Sequence, residues 1–321
     1  MSAIQPPDLD AMVRVLQVWL TRFPRVQTKV PPLSHYTSAE GLLGICSSNS
    51  IWATCAQYSN DTSEVLYAQS VAKEVLNEFF QGRQLTESAE FVRSFLEKKT
   101  GLVEGIEITD AYMASFCEAS DLLSQWRGYG KTAGFELRFN SLVKPHTPSA
   151  TEVPAVGSPA MDGLKLVRVE YNKPAQKEML VCLLEGTSEV LETLEAQPES
   201  KYLHVGVAAL AALELMTWLY RVKHPSFAEE KEWRIVAFPK RGGLVNSQPY
   251  EHPEKIGFRA GRHSLVPYVE LRPTEGKLPL SEIICGPGGH RELTSKAVEL
   301  LLAATGFVDV EVRNSAVPLV L

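Results

Sequence analysis

The chain of 321 residues can bury a sizeable core in one large or two ordinary domains, and 45% hydrophobic with 22% charged residues is normal for a globular protein. A formal charge of −6 argues against a general nucleic-acid binder, which needs a basic face to neutralise phosphates. No stretch approaches about 18 uninterrupted apolar residues, and Met1 to Pro7 lacks the pattern of a secretory leader, so neither a membrane span nor a signal is expected.

Residues 8–23 read as an amphipathic helix, with Leu9, Met12, Val13, Leu16, Trp19, Leu20 and Phe23 at helical spacing, ended by Pro24. After an extended Pro-bearing connection, Leu33–Tyr36 reads as a strand. Thr37 and Glu40 form a T-x-x-E capping box for a helix over 38–48. Ile51–Thr54 is a strand, followed by helices near 62–81 and 86–100. Asp110–Cys117 reads as a buried strand, a short helix carries Leu122, Leu123 and Trp126, and Gly134–Phe139 alternates with period two.

The Pro-rich stretch 140–163 reads as an irregular insertion. Strands follow at 164–171, 233–238, 266–271, 282–285 and 309–312, and helices at 173–195, 204–222 and 291–304. Regular β-α alternation is absent. The expected fold is therefore α+β, with a mixed, largely antiparallel sheet and flanking helices. Residues 1–30 form an N-terminal helical extension and 31–321 a single domain.

The five cysteines are scattered and form no C-x-x-C pair, so they read as reduced, mostly buried thiols of a cytoplasmic protein without a metal site.

Four polar-aromatic clusters stand beside predicted strands. Such groups are costly in a core unless hydrogen-bonded, and strand ends are where α/β proteins build pockets. His35, with Tyr36 and Thr37, either grips a ribose hydroxyl or bonds a backbone carbonyl. Asn60-Asp61-Thr62-Ser63-Glu64 reads as a helix cap or as a loop over a cleft.

Ser115 ends an apolar strand and needs a partner or a ligand. Trp126 and Tyr129, at i and i+3, form either core packing or an aromatic wall for a flat ring, and Gly128 and Gly130 permit close approach. Strand alternation puts Glu232 and Arg234 on one face, Trp233 and Ile235 on the other. The reading is either a structural Glu–Arg pair or a catalytic carboxylate held by an arginine. On a regular strand Glu230 would share the face of Glu232. Glu232 is favoured because it adjoins the apolar run, with Glu230 nearer solvent. Gly286-Pro287-Gly288-Gly289 is neither a dinucleotide fingerprint nor a P-loop.

These motifs resemble the bacterial family of domain of unknown function 2971. Its pattern is matched by His35-Tyr36-Thr37, Asn60-Asp61 with Glu64, Ser115-Phe116, Trp126 with Tyr129, Gly134-Phe135, Glu230 with Glu232-Trp233-Arg234, and Gly286-Pro287. Thr62 and Cys117 depart from it, standing where Pro and Ser are usual. The order of His, Ser, Tyr and Glu is also similar to the H-Y-E type of ADP-ribosyltransferase fold, which clasps NAD in a split sheet.

That second resemblance implies an NAD-dependent ADP-ribosyltransferase or NAD glycohydrolase, a toxin or antiphage effector, acting without metal on a macromolecular acceptor. It implies that His35 orients the nicotinamide ribose, Tyr129 or Tyr36 stacks on nicotinamide, and Glu232 or Glu230 stabilises the oxocarbenium-like ribose. Arg127 or Arg234 would hold the pyrophosphate, whose oxygens match a guanidinium fork. The rival readings are a non-catalytic nucleotide-sensing or protein-interaction module, and a nuclease. A single site requires His35, Ser115, Tyr129 and Glu232 to converge on one pocket.

Overall fold

The computed structural model of the chain describes residues 30–58, 63–85, 89–90, 93–94, 96–97, 111–129, 134–142, 155–195, 201–240, 251–261, 264–288 and 290–318, without the side chains of residues 129, 162–163, 195, 201–206 and 209. The predicted helix over 8–23, the Asn60-Asp61-Thr62 segment and residues 143–154 of the insertion therefore lie outside the described residues.

Among the described residues, eleven strands form one sheet. They are β1 (Leu33–Ser38), β2 (Ile51–Cys55), β3 (Tyr112–Cys117), β4 (Gly134–Phe139), β5 (Val156–Gly157), β6 (Met161–Arg168), β7 (Glu232–Pro239), β8 (Ile256–Ala260), β9 (Leu265–Pro273), β10 (Leu280–Cys285) and β11 (Glu311–Asn314). The helices are α1 (Ala39–Ser48), α2 (Ser63–Phe80), α3 (Leu123–Tyr129), α4 (Lys173–Glu195), α5 (Lys201–Leu219) and α6 (Arg291–Thr305). All the described strand pairings are antiparallel except β10 with β11. The α+β class and the mixed, largely antiparallel sheet are as the sequence predicts.

Four local features differ. The cap of α1 is Ser38, whose hydroxyl accepts from the Gly41 amide, so Thr37 stays in the strand. β6 begins inside the expected insertion, at Met161, with an irregular register between Asp162 and Lys165. β5 and β8 are absent from the sequence reading: one has two residues, and the other alternates Ile256, Phe258 and Ala260 over only five half-exposed residues that pair with β9. Pro225–Glu230 is a 3-10 turn closed by Lys231 at φ 43°, so Glu230 is not on a strand.

Helices cover both faces. On one face, α1 and α6 supply Leu42, Ile45, Val298 and Leu302 to a core with Phe116, Leu137, Trp233 and Ile235. On the other, α2, α4 and α5 form a helical cluster, and Met216 of α5 joins it to Val167, Val236 and Phe238 of the sheet. On that same face Trp126 of α3 packs with Tyr36, Cys117 and Ile284. The Asp121 carboxylate accepts from Trp126 Nε1, Ser315 Oγ and the Ala316 amide, and so ties the segment after β11 to the loop before α3. Gly286 is needed there, because a Cβ would meet the Trp126 ring at 2.9 Å and the Gly134 carbonyl at 2.8 Å.

The feature that makes a site is a split. One edge of β3 pairs with β7 over all six residues. The other edge is shared: Tyr112 and Met113 pair with Cys55 and Thr54 of β2, while Cys117 pairs with Ser34 of β1. Two strands held at opposite ends of one edge must diverge. Ala114, Ser115 and Phe116 are left with no described strand partner on that side.

Candidate functional site: two cavities at a split sheet

Strand register decides which predicted residues can meet. Paired residues on neighbouring strands project to the same face, and consecutive residues to opposite faces. Ser34 pairs with Cys117, and Cys117 pairs with Glu232, so these three share a face. His35 is therefore on the opposite face, where its ring lies 5.5 Å from that of Phe116. The expected convergence is corrected on this point: His35 and Glu232 line two different cavities. Tyr36, Met113 and Ser115 border both.

The first cavity, about 530 Å³, opens in the split between β1 and β2. His35 and Thr37 of β1, Glu40 and Gly41 of α1, Trp52 and Thr54 of β2, Tyr58, Ser115 and Arg259 of β8 are among its lining residues. His35 Nδ1 lies 2.8 Å from the Ser115 carbonyl oxygen, which can only accept, so Nδ1 carries the proton. Burial lowers the histidine's pKa against the opposing effect of that bond. The imidazole is thus neutral at pH 7, with Nε2 as a hydrogen-bond acceptor.

Trp52 stacks on Tyr268 at 4.5 Å and packs its ring edge so closely on α1 that a Cβ at Gly44 would lie 2.5 Å from it. The Trp52 indole N–H is buried without a partner among the described residues. Arg259, exposed on β8, donates to Thr54 Oγ1 at 3.2 Å. The cavity therefore combines a neutral acceptor, an aromatic wall, an open strand edge and a guanidinium. Trp52, Tyr58 and Arg259 are absent from the sequence reading.

The second cavity, about 310 Å³, lies on the other face under α2 and α3. Its wall is a network of five ionised side chains. Arg234 holds Glu232 through Nε at 2.7 Å and Nη2 at 2.8 Å, Glu64 at 2.6 Å and the Tyr220 carbonyl at 3.0 Å. Lys223 binds Glu230 at 2.7 Å, Glu64 at 2.8 Å and Glu232 at 3.3 Å. Burial opposes the charge on Glu232, but Arg234 first and then Lys223 hold its pKa down to about 2. Burial likewise opposes the charge on Lys223, yet Glu232 and Glu64 keep its pKa above the usual lysine value. Glu230 shifts upward, through burial first and then through Glu232 and Glu64, against the pull of Lys223.

Several predicted roles are corrected by these positions. Tyr36 is core: its hydroxyl accepts from the Leu122 amide, and its ring meets Trp126 edge-on at 5.0 Å. Trp126 is fully buried and forms no open wall. Arg234 is committed to Glu232 and Glu64, so it does not await a pyrophosphate, and Arg127 is exposed and lines neither cavity. Glu64 serves the ion network, and Asp61, the other half of its expected capping box, lies outside the described residues. Ser115 is an exposed position rather than a buried one; its carbonyl meets His35, and its side chain adds a small pull toward the charged form of Glu232. The side chain of Tyr129 lies outside the described residues. Lys223, at the centre of the network, was missed because one lysine after a long helix looks like any surface cation.

As expected, Glu232 is the more buried of the two acids, at 7% side-chain exposure against 20% for Glu230. Glu232 and Arg234 share a face opposite Trp233, also as alternation predicts. The five cysteines are free, and burial pushes the Cys117 thiol up to about 12, so it is no nucleophile at neutral pH. Among the described residues, no group of three or more His, Cys, Asp or Glu is placed to hold a metal ion, and no helix is long and apolar enough to cross a membrane.

Residues 125–235, from α3 into β7, match a family model described as Protein of unknown function (DUF2971). That segment contains Trp126, Gly134-Phe135 and the Glu230 to Arg234 run, which carry part of the resemblance seen in the sequence. Comparison with curated proteins and with solved structures gave no match.

Proposed function

We propose that this protein binds a dinucleotide of the NAD class in the split between β1 and β2. The observation that carries the reading is the neutral His35, its Nδ1 committed to Ser115 and its Nε2 an acceptor, beside a strand edge without a strand partner. A ribose hydroxyl suits such an acceptor, and open main-chain groups suit a carboxamide. Trp52 and Tyr58 offer ring surface to a base, and Arg259 offers a fork to phosphate oxygens. The resemblance to the H-Y-E fold adds a precedent for NAD lying in a split sheet.

ADP-ribose transfer is the weaker reading. Glu232 and Glu230 belong to the opposite cavity, and both oxygens of Glu232 are engaged by cations. Glu40 is the carboxylate that lines the cavity with His35. The toxin, antiphage and acceptor-modifying roles depend on transfer and share its weakness. The nucleotide-sensing module is the better fit.

Titration calorimetry with NAD tests the proposal. Native protein should bind saturably, and His35→Ala should weaken binding by about tenfold, the value of one lost polar contact. No binding at millimolar NAD would overturn the reading. Free nicotinamide from the native protein, lost on Glu232→Gln with the fold intact, would restore the transferase.

A further inference from the structure

We propose that the second cavity is a binding site for a compact organic cation carrying N–H donors, an ammonium or a guanidinium group. The inference is independent of any ligand in the first cavity.

Charge balance is the starting point. Glu64, Glu230 and Glu232 face Lys223 and Arg234, three negative groups against two positive, with side-chain exposures between 4% and 20%. An uncompensated charge in such a place is costly. The deficit falls on one residue. Arg234 spends its donors on Glu232, Glu64 and the Tyr220 carbonyl, and Lys223 is shared among all three acids. Glu230 meets a cation through Oε2 alone.

Across the cavity, the hydroxyl of Ser124 is buried with no hydrogen-bond partner among the described residues. A ligand with several N–H donors would satisfy the under-paired carboxylate and this hydroxyl together. The cavity of about 310 Å³ admits a small molecule.

Without ligand, the deficit favours a proton on Glu230 as pH falls. The raised pKa of Glu230 has that meaning, and every group facing it agrees. Glu64 from α2 and Glu232 from β7 repel its charge, Lys223 alone attracts it, and Tyr171 and Cys117 are pushed upward and stay neutral. A cation in the cavity replaces that proton. Binding should therefore expel a proton at acidic pH and tighten as pH rises, levelling off above the raised Glu230 value.

The test is calorimetry of ethylammonium and methylguanidinium chlorides with the full chain between pH 5 and 8, in buffers of differing ionisation enthalpy. Tetramethylammonium, which has charge but no donors, is the control. Both donor-bearing cations should bind saturably with proton release at low pH. Glu230→Gln should weaken them by about tenfold and abolish the release. Ser124→Ala should weaken them with the release intact, and His35→Ala should change neither. Equal binding of tetramethylammonium, native affinity in Glu230→Gln, or no binding by the native chain would overturn the proposal. Should Glu230→Gln fail to fold, native affinity in Ser124→Ala would do the same.

Discussion

The two cavities meet at Ser115 and differ in what their polar groups are doing. On the Glu232 face each cation is spent: Arg234 and Lys223 together make seven ion-pair or carbonyl contacts, to three carboxylates and the Tyr220 carbonyl. On the His35 face one histidine nitrogen is spent, Arg259 makes one bond to Thr54, and the polar side chains Thr37, Glu40, Thr54, Tyr58, Ser115 and Arg259 are exposed or half-buried. Saturated polar groups hold a fold together, because removing one strands its partner. Unsaturated polar groups around a cavity leave their interactions for a ligand. The motif that looks most catalytic in the sequence therefore lies in the more structural of the two places.

Substitution of the central arginine should give the largest effect. Arg234→Ala leaves Glu232 buried with only Lys223 nearby and should cost about 3–5 kcal/mol in urea unfolding. His35→Ala, at a cavity wall, should cost under about 1 kcal/mol in the same assay. Equal losses would erase the distinction between the cavities.

Acid comes next. The Glu232 pKa is about 2 in the folded protein against an ordinary 4.5, so its contribution is complete above about 4.5 and is lost as pH falls toward 2. The shift corresponds to roughly 3 kcal/mol. Glu230 acts in the opposite sense, since its folded pKa is raised, and offsets part of that loss. Unfolding curves of Glu232→Gln should lack the Glu232 portion of the acid dependence. A native slope in that variant between pH 5 and 2 would show that the network does not stabilise the fold.

The smallest effect belongs to Arg259. It is exposed, so Arg259→Ala should leave the melting temperature within error of native. It should instead flatten the salt dependence of NAD binding, measured between low and physiological ionic strength. An unchanged salt slope would remove Arg259 from the site.

What was legible in the chain was local. Period two gave β4, and β7 and α6 were placed to within one residue of their observed ends. Alternation also separated Glu232 and Arg234 from Trp233. What was not legible was parity between strands. Whether His35 and Glu232 share a face depends on Ser34 pairing with Cys117, a contact across more than eighty residues with no trace in either segment. Adjacent Thr37 and Ser38 are equivalent as caps on paper, and only the Gly41 amide chooses between them. Trp52 lay inside the strand read at 51–54 with no role given to it, and Arg259 sits on a five-residue edge strand too short to stand out before its pairing with β9 is known.

The Asp121 carboxylate grips Ser315 across 194 residues of chain. On the ribosome, therefore, the loop that precedes α3 at the second cavity waits without its anchor until almost the whole polypeptide has been made. The helices and the β3–β7 pairing can assemble earlier, since their residues emerge sooner. A pulse of protease during synthesis should find residues 118–122 cleavable in chains halted before residue 315 and protected in chains that extend past it.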